Sequence, residues 1–98
     1  MNYLAAVASE IRNEVPEDVL PKANTDLLFL MYAVLLLAKG RHVTREDVHN
    51  AWTAWMIGRG KDHEAMVEFD RLPRAKQEED QPFVDAIVKI ASRYPGSA

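Results

Sequence analysis

Ninety-eight residues with 28% charged and 48% hydrophobic side chains make one soluble globular domain, large enough for a single core but with little margin to lose any of it. A formal net charge of -3 argues against a protein that grips nucleic acid mainly through its phosphates. With no cysteine there is no disulfide framework, thiolate nucleophile or cysteine-based zinc site. The start, Met1-Asn2-Tyr3-Leu4, lacks the basic and apolar regions of a signal peptide, and a cytoplasmic location is expected.

Along the chain, Leu4, Val7, Ala8, Ile11 and Val15 recur at helical spacing and predict a one-faced helix over 3–15, ended by Pro16. Residues 16–24, with a second proline at Pro21, read as a connector holding one loose turn around Val19 and Leu20. The stretch 27–38 follows, Leu-Leu-Phe-Leu-Met-Tyr-Ala-Val-Leu-Leu-Leu-Ala, with no polar face to offer water. As a helix it spans roughly 18 Å, too short for a bilayer core, so it predicts a buried central helix or one shared with a second copy. Asn24 or Thr25 is placed to cap it, Asp26 sits at its positive end, and Lys39 and Gly40 close it.

Thr44 and Asp47 form the next start signal, a capping box with Asp in the usual Glu position. The helix over 45–58 carries Val48, Ala51, Trp52, Trp55 and Arg59 as one stripe, flanked by Met56 and His49. The two tryptophans read first as core, with a ligand platform as the alternative. Residues 58–62 break this helix, and no sustained period is visible from there to Leu72. A short helix is expected over 73–77, and then a final one capped by Asp80 with Pro82 in its first turn. Phe83, Ile87, Ile90 and Ala91 form its inner stripe, and Tyr94-Pro95-Gly96 stop it. The expected fold is all-α, a compact bundle of four main helices plus one short helix around the central apolar one.

Chemistry-bearing residues are few. His42, His49 and His63 form no metal-helix signature, and the Glu46/His49 pair at i, i+3 lacks the second copy that a di-metal bundle needs, so no metal or other cofactor is expected. His63 beside Asp62 and Glu64 offers an acid-base pair, but exposed charged triplets of this kind are ordinarily solvated. Gly58-Arg59-Gly60-Lys61 has the composition of a phosphate loop, yet it follows a helix C-terminus, where the dipole is negative. Arg59, Lys61, Arg71, Arg74 and Lys76 give the irregular stretch a local excess of cations, either an anion site or a solvated basic rim.

Two segments, Glu46-Asp47-Val48-His49-Asn50-Ala51-Trp52 and His63-Glu64-Ala65-Met66-Val67-Glu68-Phe69-Asp70-Arg71-Leu72-Pro73, together resemble the repeat domain of ryanodine receptors. The resemblance covers residues 46–90, with the Gly-Trp-aromatic-Gly hairpin of the receptor repeats absent between Trp55 and Asp62. The first forty residues do not share it, and resemble instead small proteins of actinobacteria and their phages that combine such a half with this one. The resemblance implies a helical module without catalytic residues and a role in binding nucleotides or their derivatives. The expectation is therefore a non-enzymatic binding module for an anionic, nucleotide-like ligand, held by His49, Trp52, Trp55, Arg59, His63, Glu68 and Arg71. The competing expectation is an interaction module, a homodimer joined through the apolar helix, with neither membrane nor nucleic acid as partner.

Overall fold

A computed structural model of the chain describes residues 2–94, and among these every regular element is helical. The helices are α1 (Tyr3–Glu14), α2 (Asp26–Lys39), α3 (Arg45–Gly58), the short α4 (Arg74–Glu78) and α5 (Gln81–Ala91). Single 3-10 turns at Glu17–Val19, Gly40–His42 and Phe69–Arg71 shape the connections. The all-α bundle of four main helices and one short one is the expected architecture. Pro95 and Gly96, read as part of the final stop, lie outside the described residues.

Helix α2 is the hub, and α1, α3 and α5 all pack against it. It buries Leu28, Phe29, Tyr32, Ala33 and Leu36, which join Val7 and Ile11 of α1, Val15 at its C-cap, Val48 and Trp55 of α3, and Ile87 and Ile90 of α5 in one core. Phe29, Tyr32 and Phe83 form its aromatic centre, with ring centroids 5.1 Å (Phe29 to Tyr32), 5.7 Å (Tyr32 to Phe83) and 6.5 Å (Phe29 to Phe83) apart. Covering on every side, expected from an all-apolar helix, is not achieved. Three helices pack against it, and Leu27, Val34 and Leu37 remain 53%, 53% and 38% exposed.

The ends of the elements follow the local chemistry. Asn24, rather than Thr25, supplies the side chain at the start of α2, accepting from the Asp26 N–H at 2.9 Å. Gly40 closes the helix at φ 55°, a backbone state that suits glycine. The capping box on α3 is complete: Thr44 Oγ1 accepts from the Asp47 N–H at 3.2 Å, and Asp47 Oδ2 accepts from the Thr44 N–H at 2.9 Å. The same carboxylate holds Lys39 at 2.8 Å, fastening the end of α2 to the start of α3.

Helix α5 is tied back to α1 by a polar clamp. Lys89 reaches Glu14 at 2.9 Å, Arg93 reaches Glu10 at 3.3 Å and Glu14 at 3.8 Å, and the Tyr94 hydroxyl donates to Glu10. Tyr94, expected only to end the last helix, is thus also a link between the two ends of the chain. Helix α4 starts one residue later than expected because Pro73 sits at the cap rather than in the first turn.

Candidate functional site

The irregular stretch between α3 and α4 needs a reason to hold one shape, since it has almost no regular hydrogen bonding of its own. His49 supplies one. Its ring is buried (4% exposed) on α3, and its Nε2–H donates to the Val67 carbonyl at 2.6 Å, anchoring the middle of the stretch. Phe69 packs against the same imidazole at 6.0 Å, and the Gln77 amide donates to the carbonyls of Phe69 (3.0 Å) and Leu72 (3.1 Å). His63 fixes the earlier part by accepting the Ala65 N–H on Nδ1 at 3.0 Å, which leaves the neutral ring's proton on Nε2.

These anchors make one wall of a cleft of about 520 Å³. His49 and Trp52 of α3 line it together with His63, Ala65 and Leu72 of the irregular stretch. Trp52 stands between the imidazoles, stacked on His49 at 5.8 Å and edge-on to His63 at 5.6 Å. The floor is Leu28 and Tyr32 of α2 with Phe83 of α5. Asp18, Val19 and Pro21 of the first connector close one side, and Lys76, Glu79, Asp80 and Pro82 the other. The volume lies within the range of small-molecule sites, and the lining combines aromatic rings with a few polar groups as such sites do.

Asp80 is the least expected member. It occupies the cap position of α5, but its backbone is already helical (φ -81°, ψ -13°) and its side chain caps no N–H. Among the described residues its carboxylate forms no ion pair or hydrogen bond within the protein; it lies half-buried on the cleft. Burial pushes its pKa up to about 6, with Glu79 adding to the rise while His49 and Arg45 oppose it. Burial, and then the charge of Asp80, likewise raise the Tyr32 hydroxyl above its ordinary value.

The seven residues expected to bind ligand divide into two groups. His49, Trp52 and His63 come together on the cleft. Trp55 instead enters the core at 2% exposure, three residues from Trp52 but not on the cleft. Arg59 lies over the Trp55 ring at 4.4 Å, outside the cleft lining. Arg71 and Glu68 are exposed and pair with each other at 3.4 Å. The Glu68 carboxyl is held below its ordinary value by its own backbone N–H and then by Arg71.

The cation excess visible in the sequence is therefore not a cation excess around the cleft. Lys76 is the one basic side chain among its lining residues, and it pairs with Glu79 at 3.6 Å. Against it stand the carboxylates of Asp18, Glu79 and Asp80. Among the described residues no group of three or more histidines and acids is gathered closely enough to hold a metal ion, and no helix is long and apolar enough to cross a membrane.

Asp80 and Tyr32 were not among the expected site residues. Tyr32 had a readable signal, being the one hydroxyl in the apolar run 27–38. Asp80 had none, because an aspartate ahead of a helix is sufficiently explained as a cap. No curated protein and no solved structure matches the chain. DUF7701, a domain of unknown function, matches residues 2–92, which include every residue lining the cleft, and the chain belongs to that family.

Proposed function

We propose that this protein is a small, non-enzymatic binding module whose cleft takes a planar, nitrogen-bearing ring of the nucleobase kind. The observation that carries this reading is the half-buried Trp52 sharing one cleft with the Asp80 carboxylate, which has no partner within the described protein. A flat ring gains packing energy against the exposed part of an indole, and ring N–H or amino groups are what a partly desolvated carboxylate accepts best. The His63 Nε2–H and the Tyr32 hydroxyl add polar groups for the ring's remaining edge. The resemblance to ryanodine receptor repeats over residues 46–90 supports a nucleotide-derived ligand on independent grounds.

The charge of the ligand is where this reading departs from the sequence expectation. Three acids line the cleft against one paired lysine, while Arg59 and Arg71 are engaged elsewhere. Recognition through the ring is favoured by this lining and recognition through phosphate is not. A panel of free bases, nucleosides and nucleotides tested by thermal shift and by tryptophan fluorescence examines this directly. Bases or nucleosides should stabilise the protein at least as well as the matching nucleotides and should perturb Trp52 emission. Asp80→Asn should weaken that binding at least tenfold while leaving the protein folded. A flat response across the panel, or tightest binding by polyphosphates, would refute the reading.

A further inference from the structure

The exposed face of α2 is a second feature, independent of the cleft. Leu27, Leu30, Val34 and Leu37 follow one another at intervals of three, four and three residues, the spacing of a helix-pairing seam. Leu27, Val34 and Leu37 are largely open to water, and Leu30 is half-buried. Beside the ridge runs a shallow apolar groove of about 460 Å³, where Met31, Val34 and Leu35 of α2 face Ala51 and Ala54 of α3. A ridge next to a groove on one surface is the arrangement in which a two-fold axis lets each copy fill the other.

The pattern also reads the same in both directions. Set antiparallel about its midpoint, the seam places Leu27 opposite Leu37 of a second copy and Leu30 opposite its Val34. Asp26 at one end then falls within a residue of Lys39 at the other, an ammonium that already holds Asp47 of its own chain at 2.8 Å, so Asp26 joins an existing ion pair at both ends and the helix dipoles run counter to each other. A parallel arrangement would bring like charges and like dipole ends together. The 3-4-3 spacing alone would suit any helical partner, and it is the opposite charges at the two ends with opposed helix dipoles that favour a second copy of the same chain.

The size of the patch sets the strength. Leu27, Val34 and Leu37, with the partly buried Leu30, Met31 and Leu35 beside them, make a patch on the order of the few hundred Å² that a monomer also shows. Two copies would cover less than about 1,200 Å², the size of weak, transient encounters.

We infer that two copies of this chain associate through the α2 ridge and the α2/α3 groove, antiparallel about a two-fold axis, in a weak and reversible dimer. The surface lies on the side of α3 away from His49 and Trp52, so the dimer leaves both clefts open, and its failure would not touch the ligand reading.

Sedimentation equilibrium over about 5 to 500 µM tests it, the range that spans a dissociation constant of tens of micromolar. The mass should rise from 11.1 kDa toward twice that value. Val34→Glu, at an exposed position, should weaken association at least 100-fold with an unchanged helical circular dichroism spectrum. The chain contains no cysteine, so Leu27→Cys and Leu37→Cys made as separate variants give a clean test of direction. Antiparallel pairing sets position 27 of one copy opposite 37 of the other, so only a mixture of the two variants cross-links on oxidation, whereas parallel pairing would cross-link each variant by itself. A constant monomer mass would overturn the inference. So would a dimer indifferent to Val34→Glu, or one in which the mixed cysteine variants fail to bridge on oxidation.

Discussion

Replacing Asp80 by asparagine should make the protein more stable at pH 8 and hardly change it at pH 4. The carboxyl releases its proton near pH 6 in the fold, against 3.8 for an unperturbed aspartate. A raised acid favours the fold while protonated, so its contribution is fully present below about pH 4 and is lost as the pH rises through 6. For a fully buried group the difference corresponds to about 3 kcal/mol. Asp80 is only half-buried, and solvent screening reduces the effect to about 1–1.5 kcal/mol. A favourable interaction with the α5 dipole returns a few tenths of this, leaving a net gain of about 1 kcal/mol for the amide at pH 8. No cap is sacrificed, because the carboxylate accepts no N–H at the start of α5. Urea denaturation followed by tryptophan emission should therefore show the variant above wild type at pH 8, the two converging as the pH falls to 4. If Asp80→Asn were less stable by the same amount at every pH, the carboxylate would be a structural cap after all. The same substitution is expected to weaken ligand binding, and a group that weakens the fold while serving a site is the usual form of a stability–function trade.

Two further changes probe the supports of the site. His49→Ala removes the bond to the Val67 carbonyl and a buried ring, and should cost about 2–3 kcal/mol. Hydrogen exchange should accelerate over residues 60–72 before it does in α1 or α2, and uniform acceleration would show that His49 serves the whole core instead. Thr44→Ala opens the capping box of α3 and should cost about 1 kcal/mol in chemical denaturation. Asp47, its partner, is pushed up by burial, but the Lys39 ammonium and the Thr44 N–H and hydroxyl outweigh this and hold its carboxyl below the ordinary value. Its contribution is present above about pH 4 and is lost as the pH falls further, and Asp47→Asn should abolish that part of the acid sensitivity. An unaltered acid limb in the variant would assign the sensitivity to other carboxylates.

Much of the fold was legible because helices announce themselves locally. The period of Val7, Ile11 and Val15, the Thr44/Asp47 box and Gly40 are signals that depend only on near neighbours, and each marks an element or boundary seen in the structure. The site was legible only in part, because it is made between elements. Trp52 and Trp55 illustrate the difficulty. Three residues apart on one helix, they share a stripe in sequence, yet about 60° of rotation separates them, enough to send Trp55 into the core and leave Trp52 on the cleft. His49 was read as a flank of that stripe, but the carbonyl that buries it belongs to Val67, eighteen residues on, and no local pattern reports such a bond.

The cations show the opposite error, in which a local pattern is real and its consequence is not. Arg59, Arg71 and Lys76 belong to a set of five cations over 59–76, but Asp62, Glu64, Glu68 and Asp70 lie among them, so the stretch is basic by a single charge. In the fold each meets a nearer partner: the Trp55 face for Arg59, Glu68 for Arg71, Glu79 for Lys76. The acids that decide the character of the cleft come from elsewhere in the chain, Asp18 from the first connector and Asp80 from the start of α5. A site's electrostatics is set by which charges remain unpaired where the elements converge, and here these are the exposed Asp18 and the half-buried Asp80 carboxylate beside an indole. The same rule separates the two proposed surfaces. On one side of α3 acids and aromatic rings are the basis of the proposed ring site, while on the other side an apolar seam is the basis of the inferred dimer.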